Sequence, residues 1–498
     1  MSKSHTLSKT AFLRGLQCSK ALYFYRHQPH LKDPIPPARM AAFSRGHEVG
    51  FYARRLFPGG ADAYAEANGK AGKTVERTQE LIAGGQNIIY EAGFVHEGVL
   101  AIVDILVRDT NGWKAYEVKS SLRLTRTYHQ DAALQYFVLK GAGINIVDFS
   151  LVHLNGNYVR RGPVETDKLF VIVSVKDYAE KQLPDIAEKV AKQKLVLNET
   201  QAPEVEIGVH CFSPYECDFR GQCWKNIPAG SVYELSGISR QEQERLYRAG
   251  YQFPEQVPPE EMLPKLARLQ ATTRLINAPV IESEKIRAFL GTLTKGIIFL
   301  DIENFQPAIP RYEATFPFMA LPFAYSIHHR LVDGTIVYHS FLAEPGSDPR
   351  KTFLEKFLSD TQGNDSILSY DAGAERAALL MLRKQFPEHS MEIEQRLARL
   401  SDLILPFTEG WYHHPKMSGS VSLKNVLPAL VPELHYNDLK IQNGSHAMAV
   451  YEKMETMTDL FELAVQREAL EEYSRLDTLG MVKIFEVLEL GAAELPAA

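Results

Sequence analysis

Apolar residues gather in three short segments between residues 88 and 121, IIYEAGF, VLAIVDILV and WKAYEVKSS, and a polar turn from Asp109 to Gly112 parts the last two. Runs of this length bounded by turn residues predict strands, the last two forming a hairpin. The pattern then turns helical in QDAALQYFVLKGAG. Two more strand-like runs follow, VDFSLVHL and LFVIVSV, and after Asp177 a helix rich in Lys, Ala and Glu. These elements complete one α/β unit just before a cysteine-bearing segment near residue 211.

From about residue 227 to 290 the pattern is short and helical, interrupted by Pro254, Pro258, Pro259 and Pro264. The expectation is a linker or small helical module. Its segment LSGISRQEQERLYRAGYQFPEQV faintly resembles a helix–hairpin–helix nucleic-acid module, and a packed helical connector explains it too. A new apolar strand begins at KGIIFLDIENF, followed by the pair AYSIHHRL and TIVYHSFLA around the turn Val332-Asp333-Gly334. A second α/β domain is expected to start there, mostly helical after SILSY, and the chain contains no internal repeats.

With 498 residues, 45% of them hydrophobic, the chain can bury more than one core, and its length suggests roughly two to four domains. No stretch of about 20 uncharged apolar residues occurs, and MSKSHTLSKTAFLRGLQC lacks an apolar run suited to a signal peptide. The expectation is a cytoplasmic globular protein with no membrane partner. Lys and Arg total 55 against 61 Asp and Glu, so the overall field offers no general attraction to a polyanion. Nucleic-acid binding has to be argued locally. Four cysteines in a reducing compartment point to metal or redox chemistry rather than disulfides.

Asp104 is the one charged residue in VLAIVDILV, where a lone carboxylate is costly unless paired or bound to metal. Glu117 and Lys119, two apart on the next strand, share a face of the sheet. Two carboxylates can hold one or two Mg²⁺ ions, and the lysine can position and activate a water at a phosphodiester. A buried Glu–Lys ion pair is the other reading of ExK.

On these residues the first part of the chain resembles the PD-(D/E)XK nucleases of the RecB, AddB and CRISPR-adaptation type. The resemblance implies that His47, in RGHEVG, supplies a further metal ligand, with Glu91 as a weaker candidate. A capping or core histidine is the alternative. It also implies that Gln135 contacts substrate, although Tyr136 follows Gln135 directly where those enzymes space glutamine and tyrosine apart. Cys18, Cys211, Cys217 and Cys223 fall where this group carries an iron–sulfur cluster, and thiolates are the ligands such clusters require. A structural zinc is the runner-up, though zinc sites usually show closely spaced pairs and here five residues separate each neighbour in 211–223.

Asp301 and Glu303, two apart at the end of IIFLDIE, share one strand face, and Tyr473 and Asp477, four apart in EEYSRLDTLGMVKIFEVL, share one helix face. With an acid between them in SYDAGAERAAL, they resemble the DEDD exonucleases, RNase H-like proteins with DxE on the first strand and YxxxD on a late helix. The resemblance implies that four carboxylates hold two metal ions and that the tyrosine orients the attacking water. The family's middle motif has an Asn, then an aromatic, then the acid; the matching places here are Asp371, Ala374 and Glu375, and Glu375 is preferred as the middle acid, with Asp371 beside it. Lys424, in MSGSVSLKNVLPALVPELHY, is expected to line a substrate groove, or else a plain surface loop.

The resemblances cover roughly residues 8–225 and 296–490, and together resemble a bacterial family that fuses the two modules. They imply an α/β chain with a restriction-endonuclease-like domain at 1–226, a helical linker at 227–294 and an RNase H-like DEDD exonuclease domain at 295–498. The expected activity is a hydrolase of phosphodiesters in DNA repair, recombination or phage defence. Its expected cofactors are Mg²⁺ or Mn²⁺ and a 4Fe–4S cluster, and its expected partner is DNA with single-stranded or free ends. An RNA-trimming exonuclease remains an alternative. So does a non-catalytic end-binding adaptor that keeps the cluster and the basic residues Lys119, Arg123 and Arg126.

Overall fold

Strand-forming runs of Ile, Val and aromatic residues build one mixed sheet in each half of the chain. The computed structural model describes residues 7–261 and 263–493. The chain is a mixed α/β protein that divides into two compact units, Met1–Asn226 with Pro307–Met319, and Ile227–Gln306 with Ala320–Ala498. Among the described residues no helix is long and apolar enough to cross a membrane.

The first unit runs β1 (Leu7–Ser8), α1 (Lys9–Gln17), α2 (Ser19–His27), α3 (Pro37–Ala53), β2 (Ala61–Asp62), β3 (Ile88–His96), β4 (Val99–Asp109) and β5 (Gly112–Lys119). It continues through α4 (Arg126–Gly141), β6 (Ile146–Leu154), β7 (Phe170–Ser174) and α5 (Leu183–Asn198). Strand order is β2-β3-β4-β5-β6-β7, with β1 beside β4. β3, β4 and β5 are antiparallel neighbours, whereas β6 lies parallel to β5 after the crossover through α4.

Residues Asp131 to Leu139 of α4 are all buried, because the helix packs between sheet and further helices. Its Ala132, Ala133 and Val138 share a core with Val103, Ala115 and Leu151 of the sheet and Phe12 of α1. The opposite sheet face packs Ile105, Tyr116 and Val152 against Val49 and Ala53 of α3 and against Ala308 and Ile309. Side-chain alternation slips by one in the middle of β3 and β4: Val103 and Leu106 point to the same core. Glu91 there has φ of 50°, and the register Tyr90–Ile105 and Ala92–Val103 sets it across from Asp104. A non-glycine residue held in this left-handed region is a local strain that clusters at functional sites.

The second unit contains β8 (Val280–Ile281), α6 (Ser283–Leu290), β9 (Ile297–Phe305), β10 (Leu321–Arg330), β11 (Ile336–Leu342), β12 (Ser366–Ser369) and α7 (Gly373–Gln385). Then come β13 (Leu400–Asp402), β14 (Tyr412–His413), α8 (Leu423–Leu430), α9 (Gly444–Met454) and α10 (Leu460–Ala493). Its main sheet has the order β11-β10-β9-β12-β13. The β9–β10–β11 trio is antiparallel, and β12 and β13 extend it in parallel. Ile298, Leu300 and Ile302 of β9 face a core with Phe353, Phe357, Leu379 and Leu382. The alternate residues face α10, where Phe299 meets Phe485 edge to face at 5.5 Å.

Three segments differ from the sequence expectation. Residues 227–294 pack inside the second unit rather than forming a separate linker, because β8 pairs with β14 more than a hundred residues later. Residues Pro307–Met319, between β9 and β10, belong to the first unit. The stretch around Lys424, for which the sequence leaves a groove lining and a plain surface loop both open, forms helix α8 because Val426 and Leu427 find buried positions despite Pro428 inside the helix.

Candidate functional sites

In the first unit, β4 and β5 set Asp104 one step beyond the paired Ile105 and Tyr116, and so across from Glu117. The Val118 N–H donates to Asp104 Oδ2 at 2.6 Å. Glu117, 2% exposed, accepts hydrogen bonds on Oε1 from Lys119 at 2.8 Å and from Lys9 at 2.7 Å. Its Oε2 is buried with no protein partner. Lys119 also donates to Asp131. Burial pushes the Asp104 carboxyl well above the usual range, and the Glu117 charge adds to it. Burial would raise Glu117 as well, but Lys119 and Lys9 outweigh it and hold Glu117 below its ordinary value. One carboxyl of the pair is thus disposed to hold a proton and the other to stay ionised when no cation lies between them.

Gln135 is turned inward. It is fully buried on α4 and donates to Asp131 Oδ1 at 3.0 Å, one helical turn away, so it meets the site only through the carboxylate that holds Lys119. Tyr136 is buried beside Glu180 instead. His47 stands exposed on α3. Glu91 pairs with Arg54 at 2.9 Å, and the Glu117 charge contributes to raising its carboxyl, after burial.

Cys18 follows α1, and Cys211, Cys217 and Cys223 come from the loop after α5. All four line one small pocket together with Ala21 and Phe219. They are free thiols. Burial raises Cys18, Cys217 (to about 11) and Cys223, and the neighbouring cysteines add to each shift. No three of these sulfurs lie within 4.8 Å of one another. Next to them, buried Asp218 accepts from Arg14 of α1 and Arg39 of α3.

In the second unit, Asp301 and Glu303 project from β9 toward α10, and Asp477 of α10 meets them. One oxygen of each lies within 4.8 Å of the others, a spacing at which one cation can touch all three. Asp301 Oδ2 is buried with no partner. Tyr436 donates to Asp477 Oδ1, and the Tyr473 hydroxyl is within hydrogen-bonding reach of Glu303 and Asp477. Lys424 enters from α8 and donates to Gln442 O at 2.6 Å and to Tyr473 Oη at 3.3 Å. Gly444, at the start of α9, borders the site: a Cβ there would sit in ordinary contact with Glu303 Oε2, at 3.5 Å.

The middle acid separates cleanly between its two candidates. Asp371 is exposed and its Oδ1 accepts from Gly373 N. Glu375 is 4% exposed, with Oε2 buried and unpartnered, and its charge acts on both Asp301 and Glu303. Burial, then the mutual repulsion of the acids, raises Asp301 well above its ordinary value and Glu303 to about 8. Burial is the leading cause that takes Glu375 to about 7 and Asp477 to about 6.

These shifts give the cation-free protein a distinctive pH dependence. Each carboxyl keeps its proton into the neutral range when folded and loses it near pH 4 when unfolded. Its stabilising contribution is therefore complete below about pH 4 and lost as pH rises through the folded values, about 6 to 8. In chelator the melting temperature should fall from pH 5 to pH 8.5, by on the order of 5–10 °C. Millimolar Mn²⁺ should flatten the slope. Calorimetric scans across that range check this, and a melting temperature that rises with pH in chelator would exclude the coupled acid cluster.

Lys9, Asp131 and Tyr436 are site residues that the sequence reading missed. Asp131 had a visible signal, a single acid within the buried run of α4. Lys9 and Tyr436 had none, because their partners lie 108 and 41 residues away.

Residues 298–422 match a family model described as a domain of unknown function (DUF2779). The matched span contains Asp301, Glu303 and Glu375 but stops before Lys424, Tyr473 and Asp477. No curated protein matches the chain.

Proposed function

We propose that the chain is a metal-dependent nuclease with two separate hydrolytic sites, acting on DNA with single-stranded or free ends. The observation that carries this reading is the trio of half-buried Asp301 and buried Glu303 and Asp477, closed by Tyr473 and Lys424. Three carboxylates converging in so little solvent without a cation are unfavourable, and a divalent ion is what such a donor set suits. The antiparallel trio extended by two parallel strands agrees with an RNase H-like unit. In the first unit, the acids on adjacent antiparallel strands agree with a restriction-endonuclease-like one.

Bound Mg²⁺ or Mn²⁺ would supply a water of lowered pKa and offset charge building on the phosphate. Asp301, Glu303 and Asp477 would hold the ion, with Glu375 a further acid whose charge acts on Asp301 and Glu303. Tyr436 fixes the orientation of Asp477, and Tyr473 is placed to hold a water by its hydroxyl. Lys424 can meet a phosphate oxygen. In the first unit Asp104 and Glu117 would hold the ion, and Lys119, kept in place by Asp131, would position the attacking water. Four thiols around one cavity fit a 4Fe–4S cluster, with Cys18, Cys211, Cys217 and Cys223 as ligands.

End-labelled single-stranded DNA, double-stranded DNA and RNA, each with Mn²⁺ or chelator, test the activity. Mn²⁺-dependent cleavage of DNA is the expected result. Preference for RNA would move the reading to an RNA-trimming enzyme, and no cleavage of any substrate by iron-replete protein would leave only the adaptor.

The middle acid gives a separate prediction. Glu375→Gln should weaken Mn²⁺ binding in the second unit about 10–100-fold, the range typical of groups supporting a metal site. Asp371→Asn should leave it within about twofold. Calorimetric titration in a Glu117→Ala background reads the two, and the reverse ranking would make Asp371 the functional acid.

A further inference from the structure

Helix α1 has the candidate carboxylate site at one end and the cysteine cavity at the other. Its first residue is Lys9. Ser8 caps the helix through the Ala11 N–H at 3.2 Å, and the backbone before Lys9 is tied to β4 by the parallel pairs Leu7–Val99 and Ser8–Leu100. Leu7 is fully buried. The base of the Lys9 side chain is thus fixed on the strand that carries Asp104, and its ammonium lies 2.7 Å from Glu117 and 3.8 Å from Asp131.

Two ammoniums, Lys9 and Lys119, face three carboxylates, Asp104, Glu117 and Asp131, but the lysines differ in what they have left to give. Lys119, with its side chain 13% exposed, donates to both Glu117 and Asp131. The Lys9 side chain is 28% exposed and makes one close hydrogen bond, so it retains donor capacity out of three N–H groups. It also borders an open groove of about 310 Å³ lined by Arg14, Arg39, Phe43 and Tyr215. Phe43 and Tyr215 are half exposed there, the combination of cations and aromatic faces that suits a single strand.

The other end of α1 is fastened to the cysteine loop. Gln17 donates to the carbonyls of His210 and Tyr215, both at 2.7 Å, Arg14 holds Asp218 between Cys217 and Cys223, and Cys18 follows directly. Nine helical residues span about 13 Å, a rigid strut between the two sites.

We propose that Lys9 is a second active-site lysine, which contacts the phosphate being cleaved, and that the cysteine cage sets its position through α1. The proposal rests on reading the first unit as a nuclease. Lys9 transfers no atom: it holds Glu117 in the resting site and turns to a phosphate oxygen when substrate enters, where a fixed cation counters developing negative charge.

The test uses the full-length protein carrying Asp301→Ala, so that cleavage reports the first unit. Lys9→Met and Lys9→Arg are compared for iron content, melting, Mn²⁺ affinity, KM and kcat on end-labelled single-stranded DNA. Lys9→Met should keep its iron and its melting temperature. It should bind Mn²⁺ more tightly, because Glu117 has lost a competing cation, and should cleave about 100-fold more slowly, chiefly in kcat. Lys9→Arg should recover part of that loss. In iron-free Cys18→Ser protein, adding Lys9→Met should cost less than tenfold further, because the strut has already been released.

Cleavage by Lys9→Met within twofold of its parent overturns the proposal, as does loss of cleavage together with iron or folding. So does a full additional 100-fold loss in Cys18→Ser protein. A parent that binds Mn²⁺ but cleaves nothing overturns the nuclease reading of the unit itself, and that outcome is distinct from all of these.

Discussion

Asp301→Ala should reduce cleavage by the second unit about a thousandfold or more, an effect of about 4 kcal/mol on the barrier. Asp301 contributes the oxygen with no protein partner in a pocket already holding Glu303 and Asp477. Removing it leaves two acids, and Tyr436 already occupies one oxygen of Asp477. Mn²⁺ affinity should collapse with activity, while the metal-free fold should become more stable because a carboxyl that burial and the charges of Asp477, Glu303 and Glu375 all disfavour has been removed. That opposition, lower activity with higher melting temperature in chelator, separates loss of a metal ligand from damage to the core. A Lys119→Ala background isolates the unit. Undiminished cleavage there would remove Asp301 from the chemistry.

Cys217→Ser should empty the cysteine cage of iron and destabilise the first unit while leaving Mn²⁺ binding by the second unchanged. The cage joins the residue after α1 to a loop roughly two hundred residues on. Closing a loop of that length restricts the unfolded chain by about 4–5 kcal/mol. Loss of that restraint should lower the first melting transition by on the order of 10 °C. Because Gln17 and Arg14 fasten α1 to the same loop, disorder in that loop should loosen α1 and the placement of Lys9 at Glu117, and cleavage by this unit should fall as well. Iron analysis of protein purified without oxygen, with calorimetry, reads both. Unchanged iron content would contradict the four-thiolate cage, and zinc in place of iron would correct its occupant.

What could be seen in the sequence depended on whether partners were local. The strands of the first sheet announced themselves through apolar runs and one turn. Asp104 stood out as the one charged residue in the run VLAIVDILV. Tyr473 and Asp477 showed their shared face through the four-residue helical spacing, and Asp301 and Glu303 through the strand period of two. Contacts made across the sheet left no such trace. Lys9 reaches Glu117 only because β1 lies beside β4, a pairing of two residues. Gln135 looked like a substrate contact, but helical geometry turned it to Asp131, inside the core. The Pro-rich stretch at 254–264 imitates a linker, and its neighbour β8 finds its partner only at β14. Around Lys424 the Gly, Ser and Pro content hid a helix stabilised by burial of Val426 and Leu427 rather than by propensity.

Cleavage of end-labelled single-stranded DNA in Mn²⁺ by wild type and by the double variant Lys119→Ala/Asp301→Ala tests the central claim most directly. The account predicts that the wild type degrades the strand and that the double variant, folded and containing its iron, leaves it intact. A double variant that cleaves as the wild type does, or an iron-replete wild type that cleaves nothing, would contradict it.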